Sequence, residues 1–374
     1  MKKRLLFIIW SFSHGGGAER VLANVVNNLD PDKYDIEILE FYYAGIKKEK
    51  LNPNIILHKP IVDVTNKRFF NLLKNKIICF LTFFFCGGLI RRIYLNKTYD
   101  VEISFNYLTS TFLLSKKSGK RIAWIHGVVD DLKTKRVYRF LQKRSFKKAD
   151  KIVAISKKCL ESIKSVFPES SNKLELIYNG YDFNHILKMA KEKENTEIDI
   201  VFCARLDENK NPIRMLKILQ LINEKGYDFK LGIIGVGELF DEVKKYVDDN
   251  NLSNHVSLLG YCDNPYKYMN KAKIICMTSY SEGFPTVIIE GMTLGKPFVT
   301  TSVSGVDEMY DNKNCGFIED DNASYADRVI ELLTNKKMYA KMSSHCQEYV
   351  KKFSLEKQIS ALESMINDTK KGNK

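Results

Sequence analysis

RLLFIIWSFSHGGGAERVLANVVNNL, residues 4 to 29, sets the reading of the chain. Arg4 to Trp10 is an apolar run of strand length, and from Ala18 onward the apolar residues recur at helical spacing. Gly15, Gly16 and Gly17 stand between the two. A near-continuous apolar strand implies burial on both faces, and a strand that feeds directly into a helix is the opening of a parallel α/β arrangement. The alternation continues along the chain, with strands expected at 35–41, 101–105, 121–126, 151–155 and 174–178, then at 197–203, 229–235, 256–259, 273–277 and 297–301. The polar stretch KMAKEKENTEID, 188–199, interrupts the pattern and is the linker candidate. It divides the chain into two comparable α/β units, with a cleft expected between them at the carboxyl ends of the strands.

The length of 374 residues accommodates two domains at roughly 100–200 residues each. With 44% apolar and 28% charged residues, 20 Gly and 8 Pro, the chain is neither disordered nor collagen-like. Its eight cysteines include no CxxC pair and no zinc spacing with histidine, so they are expected as reduced thiols in a cytoplasmic protein. The net charge of +14 is confined to the amino-terminal part: residues 1–151 hold 29 Lys+Arg against 13 Asp+Glu, the remainder 30 against 32. That asymmetry points to an anionic partner, either nucleic acid, an acidic membrane surface or a phosphorylated substrate.

Between Lys74/Lys76 and Arg91/Arg92 lies IICFLTFFFCGGLI, 77–90. Fourteen residues are too few to span a hydrocarbon core, which takes about 20. The segment reads either as a membrane-interface helix, with its basic flanks near lipid phosphates, or as a core helix. The start, KKR followed by LLFIIW, is too short an apolar run for a secretory signal.

Several residues carry chemistry. The glycines at 15–17 let a helix amino terminus approach a phosphate closely, though a plain flexible turn has the same composition. Arg205 and Lys210, in ARLDENKN just past a strand, can hold a diphosphate or stand as a solvated pair. Gly235-Val236-Gly237 ends a strand in a turn suited to a base or ribose, and a further strand ends at Gly260-Tyr261. The most specific element is SYSEGFPTVIIEGMTLGKPFV, 279–299. Glu282 stands in a loop, Gly283-Phe284-Pro285 open a helix whose first amides point free, and Glu290 follows about two turns later.

Together the glycine loop, YNGYD at 178–182, ARLDENKN at 204–211, IIGVGE at 233–238 and the Glu282-to-Glu290 element resemble the GT-B retaining glycosyltransferases of family 4, the group 1 glycosyl transferases. The resemblance implies an acceptor-binding Rossmann-like domain, 1–187, to which the last helix (354–374) returns, and a nucleotide-sugar domain, 188–353. It implies that Arg205 and Lys210 neutralise the donor diphosphate, with the backbone of Gly15, Gly16 and Gly17 closing from the other side. Glu290 would bind the ribose, and backbone near Gly235 and Tyr261 would frame the base. Glu282 would hold the sugar together with Gly283 and the amides of Phe284, Thr286 and Val287; Pro285, where many relatives have glycine, contributes no N–H. His126, ending the WIH strand, matches the family histidine on the reacting face. No cofactor or metal is implied, since two cations and oriented amides can stabilise the leaving diphosphate.

A nicotinamide-dependent dehydrogenase would need GxGxxG with an acid about 20 residues on; Glu40 stands near that distance, but the glycine spacing is wrong. No recognition helix, RRM or zinc pattern supports nucleic-acid binding. The sequence expectation is therefore a cytoplasmic transferase, peripheral on the inner face of the plasma membrane. It would move a hexose or N-acetylhexosamine from a nucleotide sugar, UDP favoured, to a lipid-diphosphate-linked saccharide in surface-polysaccharide assembly. A non-catalytic nucleotide-sugar-binding scaffold is the alternative.

Overall fold

A computed structural model describes residues 1–13, 17–43, 45, 49–65, 69–282 and 284–368, with backbone only for Gly17, Phe85 and Cys86. The chain forms two compact units, one made of Met1–Tyr181 and Leu355–Lys374, the other of Asp182–Ser354.

The first unit holds β1 (Lys3–Ile9), β2 (Tyr34–Glu40), β3 (Tyr42–Tyr43), β4 (Ile56–Leu57), β5 (Val62–Asp63), β6 (Val101–Phe105), β7 (Lys120–Ile125), β8 (Lys151–Ala154) and β9 (Leu174–Leu176). Seven of these pair in the order β4-β2-β1-β6-β7-β8-β9, and β3 pairs with β5. Every ladder is parallel; Phe7, for example, stands opposite Ile38 on one side and Ile103 on the other. Leu5 to Ile9 are fully buried, as a strand covered on both faces requires. The second unit holds β10 (Ile200–Cys203), β11 (Leu231–Ile234), β12 (Val256–Gly260), β13 (Ile274–Met277), β14 (Phe298–Thr300) and β15 (Gly316–Ile318), parallel in the order β12-β11-β10-β13-β14-β15. The apolar runs fall on strands to within a few residues at their ends. Of the six strands of two or three residues, β9 and β14 lie within apolar runs the sequence shows, while β3, β4, β5 and β15 were not expected from it.

Two expectations need correction. The division between units falls at Tyr181/Asp182, ahead of the boundary read at 187/188. The polar stretch 188–199 is no linker: it lies inside the second unit, where the Asn264 amide donates to the Met189 carbonyl and to Glu192 at 2.9 Å each, and Lys267 pairs with Glu192 at 2.8 Å. The last helix, Leu355–Asn367, belongs to the first unit and buries Leu362 and Met365 against the sheet. It is pinned at Gly180, whose amide donates to Gln358 at 2.8 Å; a Cβ there would stand 2.5 Å from the Leu355 Cα.

The segment 77–90 is exposed in its first part and packed in its second. A helix Phe69–Leu81 runs through a π turn, Thr82–Cys86, into a helix Gly87–Tyr94. No residue of the first helix is buried; Phe70 is 82% exposed and Phe80 is 55% exposed. The second helix is anchored. Gly87 passes so close to the Phe112 carbonyl that a Cβ would meet it at 2.6 Å, and Arg91 is buried. Arg91 is therefore not a lipid-facing flank: it forms an ion pair with the fully buried Glu102 of β6, while that carboxylate also accepts from the Ser115 amide at 2.7 Å. The Arg91 guanidinium donates further to the Lys97 carbonyl at 3.0 Å, so both charges are hydrogen-bonded as well as paired.

Removing one member leaves the other charged and uncompensated in the interior. Glu102→Ala is expected to lower unfolding free energy by about 3–5 kcal/mol, whereas the paired change Arg91→Met/Glu102→Leu recovers most of that loss. Urea melts of the three proteins check it, and a double variant no more stable than the single would contradict the account.

Candidate active site

In the second sheet β10, β11 and β12 run outward in one direction and β13 returns to the other side of β10, so the order reverses between β10 and β13. Loops at the carboxyl ends of strands open apart at such a reversal, leaving a crevice. After β10 the chain turns through Ala204–Asn211, and after β13 through Thr278–Glu282. The two turns are tied together: the Tyr280 amide donates to the Asn209 carbonyl at 2.8 Å, and the Thr278 hydroxyl donates to the carbonyls of Lys210 and Asn211.

Across this reversal the Lys210 ammonium meets the Glu282 carboxylate at 2.5 Å, and the Ser279 hydroxyl donates to the same oxygen at 2.7 Å. Arg205 donates through Nε to Asp207 at 2.6 Å and otherwise projects outward, its side chain 76% exposed. Asp207 was not singled out by sequence, yet it organises both cations, since its second oxygen accepts the Lys210 amide at 2.9 Å. Burial alone would raise its carboxyl, but the Lys210 amide and the Arg205 guanidinium hold it below the usual carboxylate range.

Gly235 and Gly237 have a reason nearer than a base or ribose. Their Cβ atoms would lie 1.9 Å from the Ala204 carbonyl oxygen and 2.2 Å from that of Leu206, so the turn after β11 packs backbone to backbone on the Arg205 loop. Gly260 has φ +65 with open space where a Cβ would stand, and the following Tyr261 is 72% exposed.

Pro285 precedes the helix Thr286–Thr293, and no side chain caps it, so the amides of its first turn keep the unsatisfied polarity of a helix start. Phe284 packs edge-on to Phe353 at 5.7 Å. Glu290, in the second half of that helix, accepts from the Tyr266 hydroxyl at 3.4 Å. Burial chiefly, with the Glu290 charge as a lesser cause, pushes the Cys203 thiol up to about 12. That proximity places Glu290 beside the end of β10, two residues before Arg205. Arg205, Lys210, Glu282 and Glu290 thus gather at one end of one sheet, whereas Gly283 lies outside the described residues.

In the first sheet the order reverses between β1 and β6. Gly15 and Gly16 lie outside the described residues, and Gly17 begins the helix Gly17–Asn28. The residues just before them are held by Glu40 at the end of β2. Its buried carboxylate accepts from the Phe12 amide at 2.8 Å and the Ser13 hydroxyl at 2.6 Å. Glu40 is thus a positioning residue that sequence set aside with the dehydrogenase reading. At the end of β6, Asn106 and Leu108 take positive φ of 153° and 57°; for leucine that is a strained backbone of the kind that gathers at functional sites.

His126 follows β7, its ring 4.3 Å from that of Phe105 and 6.4 Å from that of Trp124. Nε2 is buried without a hydrogen-bond partner, although the residue as a whole keeps some exposure. Desolvation lowers the imidazole from 6.5 to about 3. The ring is accordingly neutral near pH 7, able to orient a hydroxyl but carrying no charge.

Sequence comparison finds a family model described as "Glycosyl transferases group 1" over residues 185–352 and one described as "Glycosyltransferase Family 4" over residues 15–185. The chain belongs to the family 4, group 1 glycosyltransferases. Among curated relatives it is 29% identical, over 86% of its length and 87% of the relative's, to the N-acetylgalactosamine-N,N'-diacetylbacillosaminyl-diphospho-undecaprenol 4-alpha-N-acetylgalactosaminyltransferase of Campylobacter jejuni. A second Campylobacter jejuni protein, a GalNAc-alpha-(1->4)-GalNAc-alpha-(1->3)-diNAcBac-PP-undecaprenol alpha-1,4-N-acetyl-D-galactosaminyltransferase, is 27% identical over 94% of this chain and 95% of its own. Among solved structures, Anabaena HepE in complex with UDP superposes with a TM-score of 0.71 at 16% identity, covering 98% of this chain and 99% of that one. The fold is GT-B.

Because the folded His126 imidazole titrates far below the unfolded value of 6.5, its contribution to stability is complete above pH 6.5 and is lost as pH falls toward 3. His126→Phe should flatten the fall in unfolding free energy between pH 6 and 4 by up to about 1.4 kcal/mol per pH unit. A His126 imidazole proton resonance, assigned by its loss in His126→Phe, that titrates near 6.5 in the folded protein would refute the assignment.

Proposed function

We propose that the chain is a retaining transferase that moves a hexose or N-acetylhexosamine from a UDP-sugar to a saccharide carried on a lipid diphosphate, in cell-surface polysaccharide assembly at the inner face of the plasma membrane. The observation that carries this reading is the Lys210–Glu282 pair at the strand-order reversal, with Arg205 beside it. A diphosphate is a stronger partner for Lys210 than one carboxylate. Its arrival draws the ammonium away and frees Glu282 to accept from a sugar hydroxyl, with the amides of Phe284, Thr286 and Val287 alongside. Arg205 takes the remaining phosphate charge, and Glu290 accepts from the ribose. Backbone near Gly235 and Tyr261 frames the base. On the first unit taken by itself, the amino terminus of the helix at Gly17 is suited to a phosphate and the neutral His126 to a sugar hydroxyl.

Charge built up on the departing diphosphate in the transition state is met by Lys210 and Arg205, which stabilises it more than the ground state. The α linkages and the diphospho-undecaprenol acceptors in the names of the two Campylobacter proteins support retention and a lipid carrier. The UDP complex of HepE supports the uridine donor.

Membrane attachment is supported by the face that Phe69, Phe70, Ile77 and Phe80 leave exposed on a strongly basic unit. No helix among the described residues is long and apolar enough to cross a membrane.

Two measurements test these roles. With a UDP-sugar and a polyprenyl-diphosphate saccharide, Lys210→Ala is expected to lower kcat about 10²–10³-fold, and Glu282→Ala to lose turnover while its melting temperature still rises with UDP. A Glu282→Ala protein turning over at the wild-type rate would sink the assignment. In flotation, Phe69→Ser/Phe70→Ser/Phe80→Ser is expected to reduce recovery on vesicles containing phosphatidylglycerol; recovery equal to wild type removes the membrane part.

A further inference from the structure

At the opposite end of the first sheet, where β6, β7 and β8 begin, lies a cavity of about 1090 Å³ formed entirely by the first unit. Nine Lys or Arg and three Asp line it. Two of the carboxylates are already committed: Asp100 accepts the Arg4 amide at 2.8 Å, and Asp150 takes both the amide and the guanidinium of Arg121. The third, Asp368, lies beside Lys120. Lys173 is spent on the carbonyls that end the helix Arg136–Lys148, reaching that of Ala149 at 2.7 Å.

Lys116, Arg144, Lys147 and Lys148 are left with no carboxylate partner among the described residues. Lys116, Arg144 and Lys148 stand close together: burial first, then the charges of Arg144, Lys116 and Arg121, press the Lys148 ammonium below its usual range. A folded chain keeps such a cluster at a cost in self-repulsion, which an incoming anion reverses.

The helix Arg136–Lys148 also says where the anion comes from. Its last turns supply Arg144, Lys147 and Lys148, while its first turns expose Val137, Tyr138 and Phe140, the last 61% exposed. Arg144 lies over the Phe140 ring at 5.9 Å, and Tyr138 meets Phe83 of the π turn edge-on at 6.3 Å. One helix therefore joins the exposed apolar face to the cationic cavity, as aromatics among acyl chains stand beside cations among phosphates.

We propose that this cavity is a second anion site, separate from the donor site, that binds the phosphate of an anionic phospholipid headgroup; the proposal rests on the membrane reading above for the source of that phosphate. A phosphodiester presents two oxygens that share one negative charge, a geometry suited to the fork of Arg144 with ammonium groups on either side. Occupying it holds the first unit against the bilayer at a point far from the carboxyl ends of its strands.

The test uses the full-length protein and the variant Arg144→Gln/Lys147→Gln/Lys148→Met, whose fold is checked by a melting temperature no lower than wild type and an unchanged response to UDP. On vesicles with about 30% phosphatidylglycerol the variant is expected to need at least ten times more lipid than wild type for half recovery, and to lose the wild type's dependence on salt. If wild type floats and the variant floats equally, the cavity proposal is overturned while the membrane reading stands. If wild type binds no vesicle, the membrane reading fails, and a melting-temperature rise with inorganic pyrophosphate that the variant lacks would reassign the cavity to a soluble anion, overturning the lipid source. Wild-type binding to a short RNA in preference to anionic vesicles would overturn it equally.

Discussion

Parallel strands cannot be joined by a hairpin, and this topological constraint underlies the rest of the molecule. Each strand must be followed by a crossover that carries the chain back to the starting edge, so the loops leaving the strands collect at one end of each sheet and the loops entering them at the other. In the second unit the leaving loops bring Arg205, Asp207, Lys210, Glu282 and Glu290 together from positions up to 85 residues apart in sequence. In the first unit they bring Ser13, Glu40, Asn106 and His126 to the exit edge, while the entering loops gather Lys116, Lys120, Arg121 and Lys148 at the other. The same chain geometry thus separates two chemistries on one sheet without any contact between them.

Within the site, the ion pair of Lys210 with Glu282 solves a problem that either residue alone would pose. A half-buried ammonium and a half-buried carboxylate each cost free energy unless compensated. Pairing them keeps both charged and in place, and Ser279 and the Asp207-bound loop fix the geometry so that little reorganisation is needed when a phosphate replaces the carboxylate. Gly235 and Gly237 belong to the same arrangement. Their missing side chains allow the turn after β11 to lie on the Ala204–Leu206 backbone, which sets the direction of Arg205.

Much of this was legible in the sequence, for an identifiable reason. Strands covered on both faces are nearly all apolar, and Leu5 to Ile9 or Ile200 to Phe202 announce themselves without alternation. Charged residues at strand ends are also visible, which is how Arg205 and Lys210 were found. Residues whose role depends on a partner remote in sequence were not. Glu40 and Ser13 are 27 apart, and Arg91 and Glu102 sit in what looked like a lipid-facing flank and an ordinary strand. The stretch 188–199 misled because polarity resembles a linker whether its groups face water or one another. Here Glu194 accepts from Thr196 and Asn195 of its own turn, and hydrogen bonds from Thr196 foremost pull that carboxyl down to about 2.

The excess positive charge of the first unit now divides into parts with different physical meaning. Arg91 is internal structure, neutralised by Glu102; Arg121 and Lys173 are spent on Asp150 and on helix-end carbonyls. Of the cations that line the cavity, Lys116, Arg144, Lys147 and Lys148 have no carboxylate partner among the described residues, and three of them stand where the helix Arg136–Lys148 ends. Exposed charges spread over a surface are screened within about 8 Å at physiological salt. Cations gathered around one cavity add their fields there, and Lys148, the most buried of them, feels the charges of Arg144 and Lys116 directly. Net charge read from composition therefore overstates how many residues can meet an anion, while it understates how strongly the few in the cavity can do so.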